Sequence, residues 1–351
     1  MRRLFLVLSA LALALTACGG GGAEETPTVK AQSQTPSATP EPEVAPLTGE
    51  AVDDEDVLDR PVLAVKIDNA VPARPQAGLA AADVVYEEVV EGGSTRFIAL
   101  YQSTASDSVG PVRSGRDVDA VLLPPYRPLF VISGAADPTY EVLRGAALKV
   151  REEGQPEDAF RRDGDRKRPY NLFVDVDRMF DVAAGDGLPA ARPAWRFGPT
   201  RAGQAADGVD LRFSPSMPVR WTWDSSVERW RRQQVGAAHL DSAGEQVAFE
   251  NVVILRVPVA EGGGVDAIGN RTQDITVTGS GDAMVLRDGK AISGVWRKES
   301  ATDHFSFVTT TGVVLPLAPG RTWVELLPVG SPLAVDRPEA TVTASATASP
   351  S

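Results

Sequence analysis

The residues best suited to chemistry lie in one short stretch, VVYEEVVEGGSTRFIALYQS, at residues 84–103. Its two apolar runs flank a double glycine, yet they carry Glu87, Glu88, Glu91 and Arg96. Residues without Cβ readily adopt positive φ, so Gly92-Gly93 predicts a hairpin with a two-residue turn.

The register of this hairpin decides which charged side chains share a face. A two-residue turn places Val89 opposite Arg96. Because side chains alternate along a strand, Glu87, Glu91 and Arg96 would share one face, with Arg96 diagonally between the two acids. Glu88 would lie on the other face, where burial would raise the pKa of its carboxyl by desolvation.

Two interpretations of the shared face are open. As a catalytic pair, Glu87 and Glu91 would have Cα atoms roughly 6.5–7 Å apart, so their carboxyl groups could span either separation used by glycoside hydrolases. Arg96 between them would keep both acids ionised, which is the wrong state for a general acid. The alternative is a ladder of ion pairs on an exposed sheet face.

Two further polar elements could join the hairpin. In SVGPVRSGRDVDAVLL, Arg113 and Arg116 precede an apolar run with helical spacing, which predicts both in the first turn of a helix. Two guanidinium groups there would suit a carboxylate or phosphate, or would neutralise the acids of the hairpin. Asp68 and Asn69 end the predicted strand VLAVKID, where α/β sheets present ligand groups.

The chain begins with a pattern typical of export. Residues 1–17 place two arginines before an apolar run and then small residues, as in a secretory signal peptide. The stretch LTAC ends at Cys18, the single cysteine of the chain, and is similar to a bacterial lipobox, whose cysteine receives a diacylglycerol. Acyl chains on Cys18 would anchor the protein at the extracytoplasmic face of the cell membrane without spanning it.

Composition sets off both ends from the folded part. Residues 18–59 are rich in Pro, Thr, Ala, Gly and acids, which predicts a disordered tether. Ten acidic residues and one basic residue between Glu24 and Asp59 give a net charge of −9, against −12 for the chain. The remainder is nearly neutral, which does not favour nucleic-acid binding. Residues 336–351 predict a second disordered segment.

The middle of the chain changes character near residue 200. Residues 60–200 alternate strand-like and helical patterns, which indicates an α/β or α+β domain. Residues 209–330 read as short strands separated by turns, with a hairpin signal at Asp288-Gly289, which indicates a mainly β domain. With two histidines and a lipidated cysteine, the inventory predicts no Cys/His metal site, and no cofactor is expected.

These motifs together resemble one family. IDNAVPARPQAGLAAADVVYEEVVEGGSTRFIALYQS, GPVRSGRD, HLDSAGEQVAFENVVILRV and GSGDAMVLRDGKAISGVWRKES are similar, in this order, to the YerB-like lipoproteins with DUF3048 N-terminal and C-terminal domains. The resemblance covers about residues 60–330 and implies a two-domain extracytoplasmic lipoprotein without a settled activity. Glu88 departs from the family pattern. The pattern is matched at Asp68, Asn69, Arg74, Pro75, Gln76, Tyr86, Glu87, Glu91, Gly92, Gly93, Thr95, Arg96, Phe97, Gly110, Pro111, Arg113, Ser114 and Arg116.

Two hypotheses of function follow. The first is a non-catalytic cell-envelope module that presents an acid/arginine site to a cell-wall glycan or an envelope protein. The second is a hydrolase of peptidoglycan or another glycan that uses Glu87 and Glu91.

Overall fold

The computed structural model describes residues 43–265 and 269–338. The predicted signal peptide, Cys18 and most of the predicted tether lie outside the described residues, as does the C-terminal segment from residue 339.

The first half of the described chain has the predicted α/β character. The strand patterns around VLAVKID, VVYEEV, RFIALY and LFV are confirmed. The strands are β1 (Leu63–Asp68), β2 (Val84–Val89), β3 (Thr95–Tyr101), β4 (Leu129–Val131), β5 (Lys149–Arg151), β6 (Phe160–Arg162) and β7 (Leu172–Val174). The helices are α1 (Asp119–Leu122), α2 (Asp137–Gly145) and α3 (Val176–Gly185).

The second half is β-rich, as predicted. Its Asp288-Gly289 turn is confirmed: Arg287 pairs with Lys290, and both turn residues have positive φ. The strands are β8 (Gln204–Ala205), β9 (Gly208–Ser214), β10 (Met217–Asp224), β11 (Arg229–Gln234), β12 (Ala237–Ala238), β13 (Ala248–Phe249), β14 (Asn251–Val257), β15 (Val259–Val265), β16 (Arg271–Ile275), β17 (Gly279–Arg287), β18 (Lys290–Lys298), β19 (Ser306–Thr309), β20 (Thr322–Pro328) and β21 (Leu333–Asp336).

One large sheet contains strands from both halves. Its order is β19-β18-β17-β14-β20-β2-β3-β1-β4-β5, with β8 beside β18. Strand β20 lies between β14 and β2 and runs parallel to both. A smaller sheet of order β12-β11-β10-β9-β21, with β13 beside β11, packs against the large one through Trp221, Trp323 and Phe249. Because β1, β2, β3 and β20 are covered on both faces, their sequences are nearly continuous apolar runs.

Part of the predicted tether is ordered. The expectation of disorder up to residue 59 was wrong for residues 43–59, because this segment buries apolar side chains despite its acidic composition. Leu47 belongs to the core beneath the large sheet, and the carbonyl oxygen of Thr48 accepts a 2.8 Å hydrogen bond from Gly320 N. The second predicted disordered segment starts at Asp336, but this residue is ordered: it is the last residue of β21 and forms an ion pair with Arg220.

The predicted helix start at Arg113 and Arg116 was also wrong. Helix α1 begins at Asp119, and both arginines lie before it in a segment without regular secondary structure. This segment is held against the sheet, since Arg113 N donates to the carbonyl oxygen of Lys66 and Asp68 N donates to that of Pro111. The backbone of strand β1 therefore places the arginines.

A buried carboxylate joins the start of β2 to the end of β3, at the open end of the hairpin. Asp83 is inaccessible and accepts hydrogen bonds from Gln102 N at 2.5 Å and Ser103 N at 2.9 Å. We expect Asp83→Ala to lower the free energy of unfolding by about 2–4 kcal/mol, because it leaves backbone donors without partners. Asp210→Ala, which removes a half-exposed partner of Arg220, should cost under about 1 kcal/mol. Urea unfolding of both variants measures the difference, and equal losses would contradict the prediction.

Candidate functional site

The hairpin register differs by one residue from the prediction. The connection is a tight turn over Glu91–Gly93 in which both glycines have positive φ, and Val90 N donates to the carbonyl oxygen of Ser94. Glu88 consequently pairs with Arg96, and Glu87 pairs with Phe97. The prediction that Glu87, Glu91 and Arg96 share a face was wrong, because a one-residue slip moves each side chain of one strand to the opposite face.

On the first face of β2, Glu88 enters a fully buried charge cluster. Lys66 Nζ donates to Glu88 and to Asp119 Oδ1, the latter at 2.6 Å. All three side chains are essentially inaccessible. Asp119 Oδ2 also accepts from Arg116 N at 2.7 Å, so the cluster holds the segment that carries the arginines.

Burial changes the protonation of this cluster. Desolvation raises the pKa of Glu88 to about 7, although Lys66 acts to lower it and Asp119 raises it further. The predicted rise of this pKa is thereby confirmed. The Glu88 Oε2 atom has no hydrogen-bond partner among the described residues, which fits a carboxyl that spends part of its time protonated.

Above the cluster lies a set of arginines, which we call the arginine site: Arg96, Arg113 and Arg116, with Asp68 and Glu91. Arg116 forms a two-pronged ion pair with Glu91, with Nε–Oε1 and Nη2–Oε2 distances of 2.7 Å. Arg113 Nε donates to Asp68 Oδ2 at 2.6 Å. The carboxylates are nearly buried, while the two arginine side chains are 20–23% exposed. The acids therefore bind the guanidinium groups from the protein interior and leave their other side towards solvent.

Arg96 lies at the centre of this site. Its Nη1 donates to the carbonyl oxygen of Ser114 at 2.8 Å, and Arg116 Nη1 approaches the same oxygen at 3.4 Å. Burial, followed by the positive charges of Arg116 and Arg113, lowers the pKa of Arg96 to about 10, while Asp68 and Glu91 oppose that shift. In the described part of the chain, Nε and Nη2 of Arg96 and both Nη atoms of Arg113 bind no acceptor. Three cations against two anions leave the arginine site with a net positive charge.

On the second face of β2, Glu87 enters a different network. Arg232 Nη2 donates to Glu87 Oε2 at 2.6 Å, and Thr95 Oγ1 donates to Glu87 Oε1 at 2.7 Å. Asn69 Nδ2 donates to Thr95 Oγ1 at 2.7 Å and lies 3.4 Å from Glu87 Oε1. Arg232 is fully buried and its guanidinium carbon lies 4.9 Å from the ring centroid of Trp323.

A second acid shares this network. Glu325 of β20 is paired in register with Glu87, and its Oε1 accepts from Trp221 Nε1 at 2.7 Å. Burial, and next the charge of Glu87, raise the pKa of Glu325 well above its ordinary value. A proton on Glu325 Oε2, which no donor reaches among the described residues, would let this carboxyl donate to Glu87.

The network ends at His239. Its Nδ1 lies 2.7 Å from Arg232 Nη1, and its Nε2 lies 3.0 Å from Gln76 Oε1. Because arginine only donates, Nδ1 is the acceptor and Nε2 carries the proton. Burial and the charges of Arg232 and Arg74 hold the pKa of His239 well below its ordinary value.

The candidate residues thus divide between the two faces. Asp68, Glu91, Arg96, Arg113 and Arg116 come together in the arginine site, whereas Asn69 and Glu87 lie on the opposite face. The glutamates of the hypothetical catalytic pair therefore do not face a common opening.

Sequence reasoning missed four charged residues: Lys66, Asp119, Arg232 and Glu325. The available signal was a lone charge inside an apolar run, as in VLAVKID and WVELLP. Such a residue is buried only when it is paired, which makes it a marker of a polar network.

The fold and these contacts define a two-part protein with a sheet shared by both parts and buried ion pairs on both of its faces. Residues 47–188 match the protein of unknown function (DUF3048) N-terminal domain, and residues 209–324 match the DUF3048 C-terminal domain. The chain belongs to this family.

Comparisons with individual proteins agree with this assignment. The chain is 29% identical over 293 residues to the Bacillus subtilis protein named "Putative lipoprotein YerB", an alignment that covers 81% of this chain and 86% of that protein. The crystal structure of Bacillus subtilis YerB superimposes with a TM-score of 0.71 at 26% identity, covering 83% of this chain and 99% of that one.

Two properties of the described residues bear on anchoring and metals. Within residues 43–265 and 269–338, no helix is both long and apolar enough to cross a bilayer. The same residues contain no group of three or more His, Cys, Asp or Glu side chains arranged to hold a metal ion.

The Glu88 carboxyl should make stability depend on pH. Its pKa is higher in the folded chain than in the unfolded chain, so its contribution is full below about pH 4.5 and is lost as the pH rises through 7. Through this group the wild type should lose up to roughly 3 kcal/mol of its free energy of unfolding between pH 4.5 and pH 8. Glu88→Gln cannot titrate and should not show this loss. Urea unfolding at pH 4.5 and pH 8 measures it. Exposed Glu141→Gln is the control, and a Glu88→Gln curve parallel to the wild type would contradict the assignment.

The ion pair between Arg232 and Glu87 should be a major stabilising contact. Arg232→Ala leaves a buried carboxylate without its partner and should cost about 3–5 kcal/mol. The neighbouring Arg231 has a part-exposed pair with Asp224, so Arg231→Ala should cost under about 1 kcal/mol. Combining Arg232→Met with Glu87→Gln should recover part of the loss, because no buried charge is left alone. Equal unfolding midpoints for Arg231→Ala and Arg232→Ala would refute this.

Proposed function

We propose that this chain is a lipid-anchored lipoprotein of the extracytoplasmic membrane face, and that its arginine site binds a carboxylate of a cell-wall glycan or of its peptide. The anchor is supported by the leader of residues 1–17, by Cys18 in a lipobox-like sequence, and by the name of the Bacillus subtilis relative. The binding role follows from the chemistry of the arginine site.

The observation that carries the proposal is the pairing pattern of the arginines. Asp68 and Glu91 each occupy one edge of a guanidinium group. Within the described residues, the N–H groups at Nε and Nη2 of Arg96 and at both Nη atoms of Arg113 remain free to donate to a ligand. Planar guanidinium forks match the two oxygens of a carboxylate. A carboxylate ligand would also neutralise the net charge of the site.

The arginine site suits binding better than catalysis. Burial alone would raise the pKa of Glu91, but the hydrogen bonds and charge of Arg116 lower it below its ordinary value, so this acid stays ionised. Glu87 is inaccessible and is bound to Arg232. Neither glutamate can act as a general acid on a glycan in this arrangement, and the hydrolase hypothesis lacks a supporting observation.

The test is co-sedimentation of the full-length lipoprotein, in a neutral detergent, with purified cell-wall sacculi. We expect Arg113→Gln and Arg96→Gln each to weaken retention by about tenfold, since a hydrogen bond to a charged group contributes roughly 1.5–3 kcal/mol. Arg144→Gln is the matched control, because this arginine has an exposed pair with Glu141 outside the site. Circular dichroism checks that each variant is folded.

Three outcomes would count against the proposal. Wild-type protein that is not retained would exclude a wall ligand. An equal loss of retention in Arg144→Gln would show that retention depends on the overall charge of the protein and not on the arginine site. Release of soluble wall fragments that stops in Glu91→Gln would instead identify an enzyme.

A further inference from the structure

A second charged feature lies at the opposite end of the strands from the arginine site. It is a groove of about 600 Å³ that we call the basic groove. It is lined by the segments 124–128, 146–149 and 187–193, together with Thr302 and His304. Two of these segments lead directly into β4 and β5. Since β4 and β5 run parallel to β1, the groove lies at the start of these strands, whereas the arginine site lies at the end of β1.

The charged side chains that line the basic groove are all cationic: Arg127, Lys149 and Arg192. Lys149 Nζ donates to the carbonyl oxygen of Asp186 at 2.7 Å, and Arg127 Nη2 donates to that of Ala190 at 3.2 Å. These carbonyls orient the cations without neutralising them. Among the ion pairs formed by the described residues, none includes these three side chains, although acids outnumber bases in the chain.

Two acids that adjoin the lining residues in sequence, Asp186 and Asp303, have other partners. The Asp186 carboxylate forms an ion pair with Arg151. Asp303, which lies between two lining residues, accepts a hydrogen bond from Ser300 Oγ at 2.6 Å. Three unneutralised cations in one concavity repel each other, and this arrangement is stable only if solvent or an anion screens them.

The walls of the basic groove are held in place. Five prolines line it, and each fixes its own φ. Arg127 and Ala147 both have left-handed backbones, with φ of 50° and 55°, because each ends a helical segment: Arg127 follows the 3₁₀ turn Pro124–Tyr126, and Ala147 follows α2.

One polar atom beside the basic groove also has no partner. His304 Nδ1 is buried and makes no hydrogen bond with any described residue. Burial and the charge of Lys298 lower the pKa of His304 to about 4, so its ring is neutral at physiological pH. A neutral imidazole can donate or accept one additional hydrogen bond.

We propose that the basic groove binds the phosphate group of a phosphate ester. A phosphate monoester carries about −1.5 to −2 charges at neutral pH and three acceptor oxygens, which suits three cations better than a single carboxylate does. The proline rings form an apolar wall for the organic part of the ester. The phosphate can come from a soluble monoester or from phosphatidic acid, a phospholipid whose headgroup is itself a phosphate monoester, because both present the same chemistry. This inference uses none of the residues of the arginine site and stands apart from the function proposed above.

Calorimetric titration of the full-length lipoprotein in maltoside detergent tests the proposal with two probes, glycerol 1-phosphate and dihexanoyl phosphatidic acid. We expect saturable binding of one or both, weakened at least tenfold in the double variant Lys149→Gln/Arg192→Gln. These two side chains are exposed, so their replacement should leave the fold intact, which circular dichroism checks. Arg144→Gln on α2 is the matched control and should bind like the wild type.

The two probes distinguish the sources of the phosphate. Tighter binding of the lipid identifies a membrane headgroup, whereas equal or tighter binding of glycerol 1-phosphate identifies a soluble ester. The proposal is overturned if neither probe binds saturably. It is also overturned if the double variant binds like the wild type, or if Arg144→Gln weakens binding as much as the double variant does.

Discussion

The structure depends on two adjacent glutamates at the centre of a strand that is covered on both faces. Glu87 and Glu88 point to opposite sides of β2, and both are inaccessible. A buried carboxylate must be paired or protonated. Lys66 of β1 meets Glu88 on one side, and Arg232 of β11 meets Glu87 on the other. On the first face, Lys66 also binds Asp119 of α1, and on the second face Arg232 belongs to the smaller sheet. Buried charges therefore attach both covering layers to the large sheet, in addition to apolar packing.

These pairs connect parts of the chain that are distant in sequence. Arg232 and Glu325 belong to the second half of the chain, yet they complete the surroundings of Glu87 in the first half. On the other face, Asp119 bonds both Lys66 and the backbone of Arg116, so the same cluster that neutralises Glu88 also places the arginine site. The part-exposed guanidinium groups of Arg113 and Arg116 thus rest on a buried and rigid support, which favours a preformed binding site.

Much of the fold was predictable because apolar patterns are local. The strands around VLAVKID and RFIALY, and the Asp288-Gly289 turn, follow from residue type and spacing alone. The hairpin register was not predictable in the same way. A double glycine permits a two-residue turn, but Glu91 is also part of the turn, and Arg116 of another segment binds its carboxylate. Likewise, residues 43–59 looked too acidic to order, and the contacts of Leu47 and Thr48 order them.

The sequence by itself determined the class of each half, the identity of most charged side chains in the arginine site, and the family resemblance. Local propensity and motif order carry that information. Only the tertiary structure decided which charges meet. A one-residue change of register separated Glu87 from Arg96, and the partners Lys66, Arg232 and Glu325 lie on other strands. Pairing of buried charges depends on distances across the sheet, which no local pattern encodes.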